Sequence, residues 1–524
     1  MADKYWIGPA GGLASDDSNW STTSGGTNDT TAPVSGDVAH FDSGGDTNCT
    51  WDIDDSVDIV LESTYTATVT VGSDLTTNGL NSIDIGGGYF YLNGNTVSLN
   101  PSASSYIRSG GTLRPTGTLQ SSTHGTAIPL YVYGSVDWDY GGSGSEVHLK
   151  DVELHLKANI ATGGGGVTIT FEDSDIYVDL DDSPTGNVTR KLIVSNGDTW
   201  INKGTNEIVN NGNSSYEAKL YLYTAGVWDY YDDTQETIFK GGTSTQKGLF
   251  IHISGSVTNR NAWNKIHITE HNQGGITFGY NNSMTLLFEN DITIDSGANC
   301  NFQRYQSPDS SGDTTLIFGT GTKAITITND GIIKITGSYI KGNGSNVFIF
   351  KGHDGAHPVT ITGTGTLKKL GVNSSDVIEN VNFQMDFTTF NSATLRGFMS
   401  LQNVNDINYD VIIETDITAG TLTLDGSSVT SDGNALTIGG ISGTGTLTLT
   451  NGSLSGADCD FDNVSYTIKG TTLTNCVNVG TNDIWTLLAK DDGTAASNWH
   501  FKMPGTKIAL TNKISKTKIV GTKL

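Results

Sequence analysis

What the chain has little of narrows the field before any pattern is read. Its 524 residues include four cysteines, Cys49, Cys300, Cys459 and Cys476, none of them in a C-x-x-C pair. That spacing excludes a zinc ribbon or a thioredoxin-type site and leaves buried free thiols as the expected state. The nine prolines stand singly, so no proline-rich linker divides the chain. No apolar run reaches the ~20 residues that cross a bilayer, and the start, Met-Ala-Asp-Lys-Tyr-Trp, lacks the apolar core of a signal peptide. Both absences predict a protein folded in a cytoplasm and not inserted into a membrane. No Gly-Lys dipeptide occurs, which excludes a Walker phosphate loop.

Basic residues are scarce as well. The chain has 29 Lys and Arg against 55 Asp and Glu, a formal charge of −26. A phosphate backbone is bound by concentrated positive charge that releases counterions, so nucleic acid is not expected as a partner. The exception is the end of the chain: Phe501 to Leu524 holds Lys502, Lys507, Lys513, Lys516, Lys518 and Lys523 and no acid. Such a segment is expected to pack on its own acidic body or on a neighbouring subunit.

A sustained 3.6-residue apolar period is also missing, and with it any credible long helix. What is present instead is alternation. Thr421-Leu-Thr-Leu-Asp-Gly-Ser-Ser-Val429 returns as Thr446-Leu-Thr-Leu-Thr-Asn-Gly-Ser-Leu454, and again, more loosely, as Ser465-Tyr-Thr-Ile-Lys-Gly-Thr-Thr-Leu473. Each copy sends its apolar residues to one side of a strand and its hydroxyls to the other, then turns on glycine. Strands recurring every ~20–25 residues predict a solenoid, whose coils bury their apolar side only by stacking. Coils of ~22 residues stacked at ~4.8 Å between about residues 60 and 490 would give a rod roughly 90 Å long.

Two longer repeats stand out. Leu130-Tyr-Val-Tyr-Gly-Ser-Val-Asp-Trp-Asp-Tyr140 matches Leu220-Tyr-Leu-Tyr-Thr-Ala-Gly-Val-Trp-Asp-Tyr230, with an echo of Phe171-Glu-Asp-Ser-Asp-Ile176 in Phe288-Glu-Asn-Asp-Ile292. An internal duplication is the direct reading. Ile361-Thr-Gly-Thr-Gly-Thr-Leu367 likewise returns as Ile441-Ser-Gly-Thr-Gly-Thr-Leu447. On a strand Tyr131 and Tyr133 share one side, and so do Trp138 and Tyr140, flanked by Asp137 and Asp139. Aromatic rings beside carboxylates offer sugars an apolar platform and hydroxyl acceptors. Tyr131, Tyr133, Trp138 and Tyr140, with Tyr221, Tyr223, Trp228 and Tyr230 in the second copy, are therefore the candidate glycan contacts. The competing expectation is that these rings form a ladder on successive coils or close an interface between chains.

Other patterns carry less chemistry. His267-Ile-Thr-Glu270-His271 spells H-x-x-E-H, which holds zinc only on a helix, whereas Lys265 to Thr269 alternates like a strand. Glu146-Val-His-Leu-Lys150 and Glu153-Leu-His-Leu-Lys157 each place Glu, His and Lys on one side, as half-exposed strands do. The acidic run Glu172, Asp173, Asp175, Asp179, Asp181 and Asp182 lacks the glycine-punctuated repeat of calcium-binding β-rolls and reads as a solvated edge. A glycosidase needs paired carboxylates across a groove, and acids spread along the chain single out no pair. No catalytic residue, metal or cofactor is expected.

The first sixty residues form islands of aromatic and β-forming residues: Tyr5-Trp6-Ile7-Gly8, Ser18-Asn19-Trp20, Pro33, Gly36-Asp37-Val38-Ala39-His40-Phe41-Asp42 and Cys49-Thr50-Trp51. Indoles at Trp6, Trp20 and Trp51 suit a cap over the open end of a solenoid. This succession resembles the opening of β-helical surface proteins, namely phage and virus virion proteins and autotransporter-like passenger domains. The resemblance covers about fifty residues, and the missing signal peptide turns it toward the virion proteins.

The expectation is thus an all-β chain, a β-solenoid of right-handed parallel β-helix type with an N-terminal aromatic cap. Its parts would be a Trp-rich cap or attachment module (1–60), a solenoid carrying the duplication (61–300), a regular solenoid (301–490) and a basic strand segment (491–524). The resemblance implies a non-enzymatic virion structural protein, a tail or head fibre or capsid decoration, assembled in a host cytoplasm. Its implied partners are other virion proteins, further copies of itself as a trimer, and host-surface glycans. A tailspike-like polysaccharide depolymerase and a secreted bacterial adhesin are the alternatives.

Overall fold

A computed structural model describes residues 2–138, 140, 142–178, 189–195, 197–210, 217–222, 227–230, 236–240, 249–253, 257–260, 265–270, 276–278, 284–303, 314–336, 348–370, 377–384, 393–401, 411–413, 417–424, 428–487, 490–491 and 499–502. Among them the only helical segments are two 3₁₀ turns, Asp17–Asn19 and Ser43–Gly45. Everything else regular is strand.

The alternation dictates the architecture. In Asp58–Leu61, Thr68–Val71 and Ser82–Ile85 every second residue is buried and the others face outward. One such strand buries only half its surface, so it needs another strand above and below. The chain supplies these by coiling: Tyr89–Tyr91 pairs in parallel with Thr68–Val71 one coil earlier and Thr112–Arg114 one coil later. Three strands make a coil, each on its own face. Face one carries Ser82–Ile85, Ser105–Ile107, Ile128–Val132, Val152–Leu156 and Asp175–Val178. Face two carries Thr68–Val71, Tyr89–Tyr91, Thr112–Arg114 and Ser135–Val136. Face three carries Leu75–Leu80, Thr96–Leu99, Gly117–Ser121, Glu146–Lys150 and Thr168–Glu172. The protein is a three-faced parallel β-helix.

On face one the parallel ladder runs from Asp3–Trp6 to Lys490–Asp491 and passes residues 60 and 300 without losing its pairing. Twenty-one described strands lie in it, which at ~4.8 Å per step is a body about 95 Å long. The coils are not of one size. Successive partners from Asp84 to Tyr177 are 22 to 25 residues apart, those from Tyr177 to Thr362 are 26 to 35 apart, and those from Val381 to Asp491 are 18 or 19 apart. A uniform 22-residue coil therefore holds for the first part only. Strand geometry fixes the floor near 18, and corner loops take up any excess. Where corners are tight, coils approach so closely that only glycine fits: a Cβ on Gly111 would run into the Ile85 carbonyl of the preceding coil.

The interior is a column of stacked apolar side chains. At the N-terminal end Trp6, Trp20, Phe41 and Trp51 are fully buried and meet edge to face or tilted, with centroids 5.5 to 6.3 Å apart. The antiparallel pairing of Asp3–Trp6 with Trp20–Ser21 folds the chain over the open end, so these indoles cap the column as the sequence predicts. Beside them Lys4, 5% exposed, reaches the Asp37 carboxylate at 3.2 Å and donates to the carbonyls of Thr31 and Ala32. Farther along, Phe278, Phe288, Phe302, Phe318 and Phe350 interleave at 4.5 to 6.1 Å. All four cysteines are buried free thiols.

The register revises how the repeats are read. Thr446–Thr450 stacks on Ser465–Lys469 residue for residue, but Thr421 to Leu424 stacks on Gly440 to Gly443 on another face. Leu130 lies in a face-one strand, whereas Leu220 lies in Glu217–Leu222 on face two. Ile361 and Ile441 differ in the same way. Phe171 and Phe288, by contrast, both lie on face three, and the following isoleucines on face one. Most repeats thus mark strand–turn–strand units, one third of a coil out of phase, because one alternating strand suits any of the three faces.

Candidate functional site

Outward residues of the helix stack at the coil spacing, so a ring over a ring becomes a ladder. On face one Tyr106, Tyr131, His155 and Tyr177 are register partners, with centroids 5.2, 4.4 and 4.7 Å apart and planes inclined by 11 to 22°. The guanidinium of Arg108 lies over the Tyr106 ring at 4.7 Å and is itself held by both oxygens of Asp84, each at 2.7 Å. Sugar stacking needs a free ring face. Both faces of Tyr131 are covered by its ladder neighbours, so this ring offers solvent only its edge and hydroxyl.

The row beside the ladder is acidic. Glu153 and Asp175 are register partners, and the Asp175 carboxylate accepts the backbone N–H of Glu207 on the next coil. Burial, then the charges of Glu207 and Glu153, push the Asp175 carboxyl up to about 6, against the opposing N–H bond from Glu207.

A second aromatic group sits on face two. Tyr91 and Arg114 are register partners, and Asp137 follows on the next coil. The loop after Ser135–Val136 folds Tyr140 back over them, held by the Thr116 hydroxyl donating to the Tyr140 carbonyl. The Arg114 guanidinium is thereby sandwiched, 3.7 Å from the Tyr89 ring and 3.6 Å from the Tyr140 ring, while its Nε donates to Asp137 at 3.2 Å. Tyr91 meets Tyr140 edge to face at 4.8 Å. Tyr140 remains 37% exposed, one of few large hydrophobic residues to do so among the described residues.

Placed on this geometry, the sequence candidates separate. Tyr131 is a rung of the face-one ladder, and Tyr133 is half-buried at the corner between faces one and two, near the Arg108 charge. Trp138 does not face solvent beside Tyr140: it is 2% exposed and packs on Trp200 at 6.0 Å inside the column. Strand alternation failed there because Ser135–Val136 ends before Trp138, and the turn rotates the indole inward. Tyr221 lies in Glu217–Leu222, and Trp228 and Tyr230 lie in Val227–Tyr230. Tyr223 lies outside the described residues, as do Asp139, Asp179, Asp181, Asp182, His271 and the basic segment after Lys502. Matched against known proteins, the chain finds no family model and no curated relative. Its chemistry has to be read from its own surface.

Sequence reasoning missed Tyr89, Tyr91 and Arg114. They lie two coils and one coil before Tyr140, and only the coil length, which no local pattern encodes, brings them together.

Much of the acid excess has a structural use. Asp54 accepts the backbone N–H groups of Thr77, Asn78 and Gly79. Asp46 clamps Thr66 and Ala67, Asp198 clamps Gly164, Gly166 and Val167, and Asp462 clamps Thr481 and Asn482. The hydroxyls of Thr66 and Thr481, then the N–H groups, hold the Asp46 and Asp462 carboxyls below the usual range. These acids fasten the corners of adjacent coils. Glu172, 8% exposed, is likewise taken by Lys203 at 2.7 Å, Lys150 at 3.1 Å and His148 at 2.9 Å. His267 lies in the strand Lys265–Glu270, not on a helix, and faces Asp295 at 3.0 Å and Glu236 at 3.7 Å.

Proposed function

We propose that this chain is a non-enzymatic structural rod displayed on an outer surface, and that the Tyr89–Tyr91–Arg114–Tyr140 group on face two is where it adheres to surface glycans. The rod reading is carried by the face-one ladder, which stays parallel from Asp3 to Asp491. A body in which every coil is fastened to the next transmits position and bears load along its axis. The virion assignment, and with it a trimer of fibre or decoration type, draws its support from the motifs of the first fifty residues. Adhesion is supported by Tyr140, an exposed ring braced by a cation and by a second ring at the level of the strands.

The test uses the whole purified chain on a broad glycan array and on intact bacterial cells, with reducing ends assayed after incubation with capsule. Retention on glycans or cells without release of reducing ends is the expected result. Release of reducing ends would replace the structural role by depolymerisation, and absence of any retention would remove the adhesive role.

A further inference from the structure

The chemistry around Tyr140 says which glycans it takes. We infer that the face-two patch binds uncharged, hydroxyl-rich polysaccharide and rejects acidic polymers; this rests on the adhesive reading above and narrows it. The cation nearest the exposed ring is Arg114, and it is largely covered and already beside an acid. Its side chain is 13% exposed, both faces of its guanidinium are covered by Tyr89 and Tyr140, and its Nε is committed to Asp137. A uronate, sialate or sulfate approaching this cation meets the two covering rings and the neighbouring Asp137 carboxylate, which repels it. Around the corner Arg108, though 52% exposed, is held by Asp84 through two parallel hydrogen bonds at 2.7 Å. Bidentate pairs of this kind are the least readily exchanged of surface ion pairs.

Apart from Arg114 and Asp137, the described outward residues of the patch carry no charge. Tyr89 lies between Thr68 and Thr112 in the ladder, and Tyr91 follows Thr70. These outward residues are half-buried, and Ser135, the next partner of Thr112, is exposed. They form a bed of hydroxyl groups, each able to donate and to accept. On one side Tyr140, 37% exposed beside Arg114 and Tyr91, adds apolar ring surface for the C–H groups of a hexose. The chain as a whole, at −26, repels polyanions before contact. An uncharged sugar pays none of these costs.

The experiment measures binding of the full chain to immobilised dextran, mannan and starch against alginate, hyaluronan and heparin. Each is repeated from about 50 to about 500 mM NaCl, a range over which the Debye length shortens about threefold. The expected result is binding to at least one uncharged polymer, changing less than about twofold across the salt range and weakened about tenfold by Tyr140→Ala, the upper end of what one aromatic contact contributes. Asp137→Asn, which frees Arg114, is expected to add salt-sensitive binding to the acidic polymers. Binding confined to acidic polymers, abolished by salt and by Tyr140→Ala, overturns the inference and keeps the adhesive patch. Uncharged binding that survives Tyr140→Ala overturns the site. No binding to any of the six removes the adhesive reading itself. Circular dichroism of both variants confirms that the fold is kept.

Discussion

The Tyr131 ring lies 4.4 Å from the His155 ring of the next coil and within 22° of parallel to it. With Tyr106 on the other side, a tyrosine that the sequence offers as a glycan contact spends both ring faces on its own neighbours. Tyr131→Ala is therefore expected to act on stability. It removes two stacked contacts, each contributing about 0.5–1.5 kcal/mol beyond area burial, and should lower the melting temperature while leaving glycan binding unchanged. A double-mutant cycle with His155→Ala isolates the shared part. Unchanged melting with lost binding would make Tyr131 a ligand contact.

Asp175 sets a pH dependence of one sign. Its carboxyl titrates at about 6 in the folded chain against an ordinary value of 3.8. The folded state thus holds the proton more tightly than the unfolded chain, and the resulting stability is present in full below about pH 4 and lost as pH rises through about 6. Asp175→Asn is expected to raise the melting temperature at pH 7 and to be nearly neutral at pH 4. Melting curves of both proteins between those values check it, and a penalty at pH 7 would contradict it.

Glu172 behaves in the opposite way. Burial opposes its ionisation, but the hydrogen bonds and charges of Lys203 and Lys150 outweigh it and hold the carboxyl at about 2. Because the folded value lies below the ordinary 4.5, the contribution is complete above that pH and disappears as pH falls toward 2. Glu172→Gln should destabilise the chain at pH 7 and converge with the parent near pH 2. Equal melting at both pH values would show that the lysines find other acceptors.

In the cap, Lys4 and Asp37 form a buried pair with every remaining donor of the lysine satisfied. Lys4→Met leaves the carboxylate buried without its counter-ion, a change that costs about 3–5 kcal/mol in comparable sites. The first coils are expected to loosen before the rest. Hydrogen exchange should show lost protection in Asp3–Trp6 and Val38–Phe41 with little change beyond the middle of the chain. Uniform loss would mean that the column unfolds as one unit.

Sequence alone determined the class of this protein. Alternating Thr with Leu or Ile, glycine at the turns and the absence of any helical period admit only stacked strands, because side-chain direction along a strand is set locally. The buried Trp6, Trp20 and Trp51 were legible for the same reason. What only the tertiary structure decided is which residues lie above one another. Coil length ranges from 18 to 35 residues with the size of the corner loops, and a strand of given pattern fits any face, so local repeats do not report the register. That register covers the faces of Tyr131, turns Trp138 into the column and carries Arg114 between Tyr89 and Tyr140 from three separate coils. Vertical stacking is a long-range property of loop lengths summed over whole coils, and no short stretch of sequence contains it.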